Sequence, residues 1–296
     1  MPADLIDGRA IAKKVRADAA ERAKKLIAKG IRPGLAVVLV GEDPASVVYT
    51  TSKGKAAEEA GMYSFNIRLS ADISQADLLA RVDALNNDDE IHGILVQMPL
   101  PKHIDPDTII RRIDPAKDVD GFHPVNVGKM LIGERDGFVP CTPAGIQVML
   151  KESGVSTAGK NCVVIGRSNI VGKPMAALMM QDNAYANCTV TVCHRHTLDL
   201  AAHTRSADIL IVAAGRPRMV TREMVKPGAV VIDVGTNRID DPTTKSGTRL
   251  TGDVDFEPVR EVASKITPVP GGVGPMTIAM LMANTVRAAE LAWERR

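Results

Sequence analysis

Apolar, β-rich runs alternate with helical patterns along nearly the whole chain, which limits the folds that it can adopt. In the first part, a helix is predicted at about 9–29, ended by Gly30, and strands at 35–40, 65–69 and 91–97. In the second part, Thr142 and Pro143 predict a helix start, and strands are predicted at 161–165, 189–193, 208–212 and 229–234. Such alternation is typical of parallel sheets flanked by helices, so we expect an α/β fold.

Two domains are expected from the length of 296 residues and from a break between the two series. Residues 114–140 lose clear periodicity and contain glycines, prolines and polar residues, so we interpret them as the crossing between domains. No internal repeat or low-complexity segment interrupts either series.

Composition favours a soluble enzyme or binding protein for a small molecule. The 37 basic and 35 acidic residues give a net charge of +2, which offers no case for a nucleic-acid or membrane partner. The chain start lacks the apolar stretch of a signal peptide, and no apolar run approaches the ~20 residues of a membrane span. The four cysteines show no C-x-x-C spacing, so we expect reduced thiols, no metal site and a cytoplasmic protein.

The run VVIGRSNIVGKP at 163–174 has the pattern of a buried strand, a glycine turn and a helix start. Gly166 would allow a sharp turn whose amides face a pyrophosphate, and Gly172 would allow close packing of helix on strand. The common G-x-G-x-x-G fingerprint would place glycine at Ser168 and Val171, so an ordinary strand-to-helix turn is the alternative.

Tyr49 and Lys53 lie four residues apart on one face of a predicted helix that begins near Ser46. Gln97 ends the apolar strand GILVQ, at the carboxyl edge where parallel sheets bind ligands. A buried glutamine there needs a partner, which the lysine would provide. The alternative is a solvated lysine beside a half-buried ring. Asp118 and Asp120, in KDVDG, are either site residues or part of an ordinary acidic turn.

Several segments together resemble the bifunctional methylenetetrahydrofolate dehydrogenase/methenyltetrahydrofolate cyclohydrolase family. These are SVVYTTSKGKAAEEAG (46–61), GILVQMPLP (93–101), DPAKDVDGFHPVNVGKM (114–130), VPCTPAGI (139–146), VVIGRSNIVGKP (163–174), VVIDVGTNR (230–238) and ITPVPGGVGPMT (266–277). The resemblance implies a catalytic domain of residues 1–140 completed by a helix at 275–296. A Rossmann-like NADP domain at 141–274 is then inserted between these parts, and the protein is expected to be a homodimer.

The resemblance also implies roles for individual residues, with tetrahydrofolate derivatives as substrates. The catalytic residues would be Tyr49, Lys53, Gln97 and Asp120. Lys53 would move a proton during hydrolysis with Gln97 orienting it, while Tyr49 would stack on the aminobenzoyl ring and Asp120 would bind the pterin. The loop of Pro270, Gly271 and Gly272 would let the substrate approach the backbone.

The nucleotide is expected to be NADP, bound by Gly166, Arg167, Ser168, Gly172, Arg195 and Thr236. An NAD-selective site would carry an acidic residue near the end of its second strand, where this chain has Cys193-His194-Arg195-His196. Arg195 and Arg167 offer donors for a 2′-phosphate, unless Arg195 is simply a strand-end surface residue.

Two local departures from the family pattern stand out. Thr236 falls where the family usually has isoleucine, at a backbone contact to the nicotinamide amide. The segment QDNAYANC at 181–188 is a few residues longer than usual.

Three other functions remain open at this point. A monofunctional dehydrogenase of the same fold would lack or misplace the Lys53 group. A different NADP oxidoreductase would share the glycine turn alone, and a non-catalytic protein would bind folate without turnover.

Overall fold

A computed structural model describes residues 2–244 and 247–295 of the chain. Within these residues the helices are α1 Gly8–Ile27, α2 Pro44–Glu59, α3 Gln75–Asn86, α4 Pro106–Arg112, α5 Pro124–Ile132, α6 Cys141–Glu152, α7 Gly172–Met179, α8 Leu200–Arg205, α9 Phe256–Arg260 and α10 Val273–Glu294. A short 3₁₀ helix covers Arg222–Met224. The strands are β1 Asp4–Leu5, β2 Gly34–Val40, β3 Tyr63–Leu69, β4 Gly93–Val96, β5 Asn161–Ile165, β6 Thr189–Cys193, β7 Ile209–Val212, β8 Val230–Asp233, β9 Asn237–Asp240, β10 Thr248–Thr251 and β11 Lys265–Ile266.

The chain forms two compact units, each built from two separate stretches. The six-stranded unit comprises residues 1–12 and 142–277, and the three-stranded unit comprises residues 13–141 and 278–296. The sheets of six and three strands are parallel and carry helices, which confirms the predicted α/β class. Strands β9 and β10 form a separate antiparallel pair.

The sheet of the six-stranded unit has the strand order β1-β11-β8-β7-β5-β6. Strands β5, β7 and β8 are apolar and mostly buried, as expected for strands covered on both faces. The sequence prediction missed β1 and β11, which pair in parallel through Asp4 with Lys265 and Leu5 with Ile266. This pairing brings residues 1–12 into the six-stranded unit, whereas the predicted boundary grouped them with the first series.

The sheet of the three-stranded unit has the order β3-β2-β4. Strand β2 is buried along its whole length, and its Leu35 and Val37 share a core with Leu281 and Val286 of α10. Arg22 of α1 donates from Nε and Nη2 to the two carboxylate oxygens of Glu290 on α10, at 3.0 and 2.6 Å. The end of the chain is therefore an integral part of this unit.

Residues 114–140 differ from the predicted crossing between domains, because they lie wholly inside the three-stranded unit. They contain α5, which His123 caps by accepting the Val125 N–H at Nδ1 and which Gly133 ends with φ +81°. A nine-residue helix is too short to show clear periodicity in the sequence. The predicted cap Thr142 instead lies inside α6, and its hydroxyl is hydrogen-bonded to that of Thr277 at 2.9 Å.

All four cysteines lie in the described part of the chain, where they are buried and form no disulfide. Among residues 2–244 and 247–295, no helix combines the length and apolar character that a membrane crossing requires.

Candidate active site

Lys53 and Gln97 meet at the carboxyl end of β4. Helix α2 begins after Asp43, which accepts the Ser46 N–H at 2.8 Å, and carries Lys53 three turns further on. Lys53 is only 6% exposed, and its Nζ donates to Oε1 of Gln97 at 2.9 Å. The amide of Gln97 in turn donates to the Met98 carbonyl at 2.7 Å. The predicted contact is therefore present, and the lysine is not a solvated surface residue.

Tyr49 lies one turn before Lys53 on α2 and remains 39% exposed. The hydroxyls between these two residues donate to helix carbonyls: Thr50 to Ser46, Thr51 to Val47 and Ser52 to Val48. These hydroxyls are therefore satisfied within the helix. This part of α2 presents an accessible aromatic ring and a buried ammonium group.

The KDVDG turn at 117–121 lies between α4 and α5, and its two aspartates have different surroundings. Asp118 is buried and accepts the N–H groups of Phe122 and His123, at 3.2 and 2.8 Å, together with the Asn126 amide at 2.8 Å. Burial raises the pKa of Asp118 to about 7, against the opposing effect of these donors. Asp118 thus has the structural role of a turn residue.

Asp120 is half-buried in the same turn and interacts electrostatically with Lys53. Burial raises the pKa of the Asp120 carboxyl, while the positive charge of Lys53 lowers it. Lys53, Gln97 and Asp120 therefore belong to one cluster within the three-stranded unit.

Cys141 belongs to the same surroundings, although sequence reasoning gave it no role. Its thiol donates to the Val119 carbonyl at 3.4 Å and interacts electrostatically with Asp120, and burial raises the pKa of this thiol. Asn284 of α10 also donates to the Val119 carbonyl, at 2.9 Å. Cys141 and Asn284 therefore fix the backbone beside Asp120. The only signal in the sequence was the position of Cys141 in the VPCTP segment.

The glycine turn after β5 is as tight as a pyrophosphate seat requires. Gly166 has φ +122°, and a Cβ there would lie 2.3 Å from the Ala213 carbonyl oxygen. A Cβ on Gly172 would lie 2.2 Å from the Gly166 carbonyl oxygen. Ser168 accepts the Val171 and Gly172 N–H groups at 3.1 and 3.4 Å and so supports the start of α7. Both glycines are needed for this geometry, which fits a dinucleotide phosphate.

The other predicted nucleotide residues lie at the same carboxyl edge of the six-stranded sheet. Arg167 is exposed in the glycine turn, and Thr236 is exposed after β8. Arg195 is exposed after β6, and its Nε donates to Nε2 of His196 at 3.0 Å. No carboxylate occurs at 194–198. Asp199 follows, but its carboxylate caps α8 by accepting the Ala202 N–H at 3.1 Å. Two guanidinium groups therefore flank this edge, and the carboxylate after β6 is engaged at the start of α8.

The loop of Pro270, Gly271 and Gly272 packs against the start of α1 within the six-stranded unit. A Cβ on Gly8 would lie 1.8 Å from the Gly272 carbonyl oxygen, and Gly271 has φ +111°. The backbone of Gly272 thus lies directly against Gly8, and the role of this loop in substrate binding stays a prediction.

The longer segment at 181–188 packs against α6. Gln147 donates to the Tyr185 carbonyl at 3.3 Å, and Nζ of Lys151 lies 4.5 Å from the Tyr185 ring centre. Strand β6 still pairs in register with β5, from Asn161 with Thr189 to Ile165 with Cys193. The extra residues therefore leave the strand before Arg195 in place. No cluster of metal-binding side chains occurs in the part of the chain that the structure describes.

Comparison with known proteins gives the same identification for both parts of the chain. The family model "Tetrahydrofolate dehydrogenase/cyclohydrolase, catalytic domain" matches residues 6–120, and the model "Tetrahydrofolate dehydrogenase/cyclohydrolase, NAD(P)-binding domain" matches residues 140–293. The Bifunctional protein FolD of Prosthecochloris aestuarii is 58% identical over 286 residues, which cover 96% of this chain and 97% of that protein.

Solved structures agree with this result. The bifunctional methylenetetrahydrofolate dehydrogenase/cyclohydrolase of Campylobacter jejuni is 50% identical with a TM-score of 0.93, covering 98% of this chain and 99% of that one. The Trypanosoma brucei enzyme, solved with NADP and an inhibitor, is 43% identical with a TM-score of 0.93 and 99% coverage of both chains. The motifs, the fold and these matches together establish that the chain belongs to the tetrahydrofolate dehydrogenase/cyclohydrolase family.

Proposed function

We propose that this chain is a bifunctional enzyme of one-carbon metabolism. It oxidises 5,10-methylenetetrahydrofolate with NADP and hydrolyses the resulting 5,10-methenyltetrahydrofolate to 10-formyltetrahydrofolate. The observation that carries the proposal is the buried hydrogen bond between Lys53 and Gln97, with Asp120 in the same cluster. A dehydrogenase alone needs no such proton-handling group.

The six-stranded unit has the features needed to hold NADP. The Gly166 to Gly172 turn would hold the pyrophosphate, with Ser168 supporting the helix start. Arg195 and Arg167 would bind the 2′-phosphate, and the backbone at Thr236 would contact the nicotinamide amide. When bound, NADP supplies the acceptor for a hydride from the substrate. The domain proposed for this role is 141–274, joined by residues 1–12.

The three-stranded unit has the features needed to bind the folate. Tyr49 would stack on the aminobenzoyl ring through its exposed face, and Asp120 would accept hydrogen bonds from the pterin edge. The backbone of Pro270, Gly271 and Gly272, which belong to the six-stranded unit, is a further proposed substrate contact. For oxidation, these contacts hold the methylene carbon in a reactive position, so their contribution is one of orientation.

Hydrolysis needs a group that moves protons near the methenyl carbon. Lys53 can take this role because its Nζ is withdrawn from solvent and is held by a hydrogen bond to Oε1 of Gln97, with the Asp120 carboxyl in the same cluster. In its neutral amine form, Lys53 can accept a proton from the attacking water. Gln97 keeps Nζ in place during this transfer.

The two activities can be followed in one optical experiment. Purified protein is mixed with NADP and methylenetetrahydrofolate while the methenyl absorbance is recorded. A bifunctional enzyme gives a rise followed by a decay faster than the enzyme-free rate. A rise to a plateau would instead identify a monofunctional dehydrogenase, and no rise despite folate binding would identify a non-catalytic protein.

We further propose that the enzyme is a cytoplasmic homodimer. The resemblance to the family supports the dimer, and four buried thiols without a disulfide suit a reducing compartment. Light scattering during size-exclusion chromatography measures the mass against the 31.6 kDa of one chain. Cell fractionation tests the compartment.

A further inference from the structure

A buried carboxylate holds the loop that follows β7 in the six-stranded unit. Asp253 is 0% exposed and follows β10. Its Oδ2 accepts the N–H groups of Ala214 and Gly215 at 2.7 and 2.8 Å, and its Oδ1 accepts the N–H of Arg216 at 2.9 Å. Three successive backbone amides thus converge on one side chain.

The same carboxylate also holds the loop that follows β8. Nδ2 of Asn237 donates to Oδ1 of Asp253 at 2.7 Å. A Cβ on Gly235 would lie 2.5 Å from the carboxyl carbon of Asp253, so the backbone passes directly against it. Thr236, the predicted nicotinamide contact, lies between these two fixed positions. Asp253 therefore joins the loops after two neighbouring strands.

A second aspartate fixes the backbone of the first. Oδ1 of Asp233 accepts the N–H groups of Asp253 and Gly235, each at 2.9 Å, and its Oδ2 accepts the N–H of Val254 at 3.0 Å. A Cβ on Gly252 would lie 1.8 Å from Oδ2 of Asp233, so only glycine fits there. Asp253 is consequently held from both its main chain and its side chain.

The constraint extends to the glycine turn. Ala213 immediately precedes the amides that Asp253 binds. A Cβ on Gly166 would lie only 2.3 Å from the Ala213 carbonyl oxygen, so the two loops are in close contact. Successive amides that converge on one point are a common binding site for phosphate. Here the protein's own carboxylate already occupies that site. The loop after β7 is therefore held in one conformation next to the Gly166 turn. Its backbone amides at 214–216 are already hydrogen-bonded to Asp253, so they are not available to the cofactor.

We propose that Asp253 is a positioning residue for the dehydrogenase, holding the loops 213–216 and 235–237 in the form that binds NADP. The inference rests on the proposed function, because it assigns NADP to this edge of the sheet. Asp253 would act through the backbone and would not touch the reacting atoms. Hydrolysis of methenyltetrahydrofolate, which depends on Lys53 and Gln97 in the three-stranded unit, would not need it.

The substitution Asp253→Asn tests this role at almost constant volume. Each carboxylate oxygen accepts two N–H groups, so the new NH₂ group faces two donors whichever way the amide turns. We expect the NADP dissociation constant to rise about ten- to a hundredfold, with a parallel rise in its KM. Cyclohydrolase kcat/KM, measured with methenyltetrahydrofolate and no nucleotide, should stay within about twofold of wild type.

The matched control is Asp208→Asn. Asp208 also accepts a backbone N–H, from Asn161 at 2.9 Å, and pairs with Lys226, but it lies at the opposite end of the strands. This variant should bind NADP as wild type does.

A second variant, Asn237→Ala, removes a single hydrogen-bond donor to Asp253 and should raise the NADP dissociation constant several-fold. If Asp253→Asn does not fold, this variant tests the positioning role instead.

Direct titration of wild type with NADP separates the possible failures. If wild type does not bind NADP, the proposed function fails and takes this inference with it. If wild type binds and both Asp253→Asn and Asn237→Ala bind equally well, Asp253 has no positioning role. An equal loss of cyclohydrolase activity and NADP affinity in both variants would also overturn the proposal, because it would indicate a general structural defect.

Discussion

Nζ of Lys53 donates a 2.9 Å hydrogen bond to Oε1 of Gln97, which joins the middle of helix α2 to the carboxyl end of strand β4. Gln97 can orient Lys53 without compensating its positive charge, because an amide oxygen accepts a hydrogen bond but is itself uncharged. The nearby carboxyl group of Asp120 is the group whose pKa responds to the lysine charge. Orientation of Nζ by Gln97 is therefore separate from the electrostatic interaction between Lys53 and Asp120.

The substitution Lys53→Met should abolish the cyclohydrolase while leaving part of the dehydrogenase. Methionine keeps an apolar stem and removes the ammonium, and a positioned proton-transfer group contributes about 100- to 10,000-fold. In the methenyl absorbance trace, the variant should reach a plateau that decays only at the enzyme-free rate. The control is Lys55→Met on the same helix, which should keep the wild-type transient. Wild-type clearance of methenyltetrahydrofolate by Lys53→Met would show that Lys53 does not move the proton.

The substitution Asp120→Asn should impair both activities and leave NADP affinity nearly unchanged. Both steps need the same folate pose, and an amide presents a donor where the carboxylate offers only acceptors. Steady-state rates for each step, together with an NADP titration, measure this pattern. Exposed Asp89→Asn is the control and should retain both rates. Normal folate turnover in a folded Asp120→Asn protein would leave Asp120 as a turn residue.

The substitution Arg195→Ala should weaken NADP far more than NAD. The guanidinium would bind only the 2′-phosphate, and loss of a hydrogen bond to a charged group lowers affinity by about ten- to a hundredfold. Apparent constants for the two nucleotides are compared in wild type, Arg195→Ala and the α8 surface variant Arg205→Ala. A parallel change for both nucleotides, or no change, would contradict the assignment.

The substitution Asp118→Asn should alter how stability depends on pH. The folded protein binds a proton at Asp118 with a pKa of about 7, against 3.8 for the ordinary group. Because the folded state binds this proton more tightly, its contribution to the free energy of unfolding rises as the pH falls below about 7. The gain is at most about 1.4 kcal/mol per pH unit for one group.

Urea unfolding of wild type and Asp118→Asn at pH 7.5, 6.5 and 5.5 measures this contribution. The stability advantage of wild type over the variant should grow toward the lower pH. Asp233, whose pKa burial raises to about 6, is present in both proteins and cancels in the comparison. An advantage that stays constant across the three pH values would show that Asp118 does not titrate in this range.

The strands with continuous apolar runs could be predicted from the sequence, and β2, β5 and β7 lie where expected within a few residues. The two-residue strands β1 and β11 were missed because so short a pairing leaves no periodic pattern, and its partners are far apart in the chain. The hairpin of β9 and β10 was missed because its residues are partly exposed and lack an apolar run.

Part of the site could likewise be predicted. The rule that ligands bind at the carboxyl ends of parallel strands brought Gln97 to attention, and helical spacing paired Lys53 with Tyr49. The contact of Asn284 with the Val119 carbonyl depends on α10 returning to the three-stranded unit, which no local pattern reveals. The convergence of three amides on Asp253 was hidden for the same reason, because it exists only in the folded backbone.

Because both units are assembled from separate stretches, neither can finish folding until its later stretch has been synthesised. Asp4 is made 261 residues before Lys265, its partner in the outermost pair of the six-stranded sheet. The core of the three-stranded unit cannot be completed until Leu281 and Val286 have been synthesised. Contacts so distant in sequence form late and slowly. A chain truncated before residue 278 would therefore lack a finished three-stranded unit, and such fragments would be substrates for proteases rather than half-active enzymes.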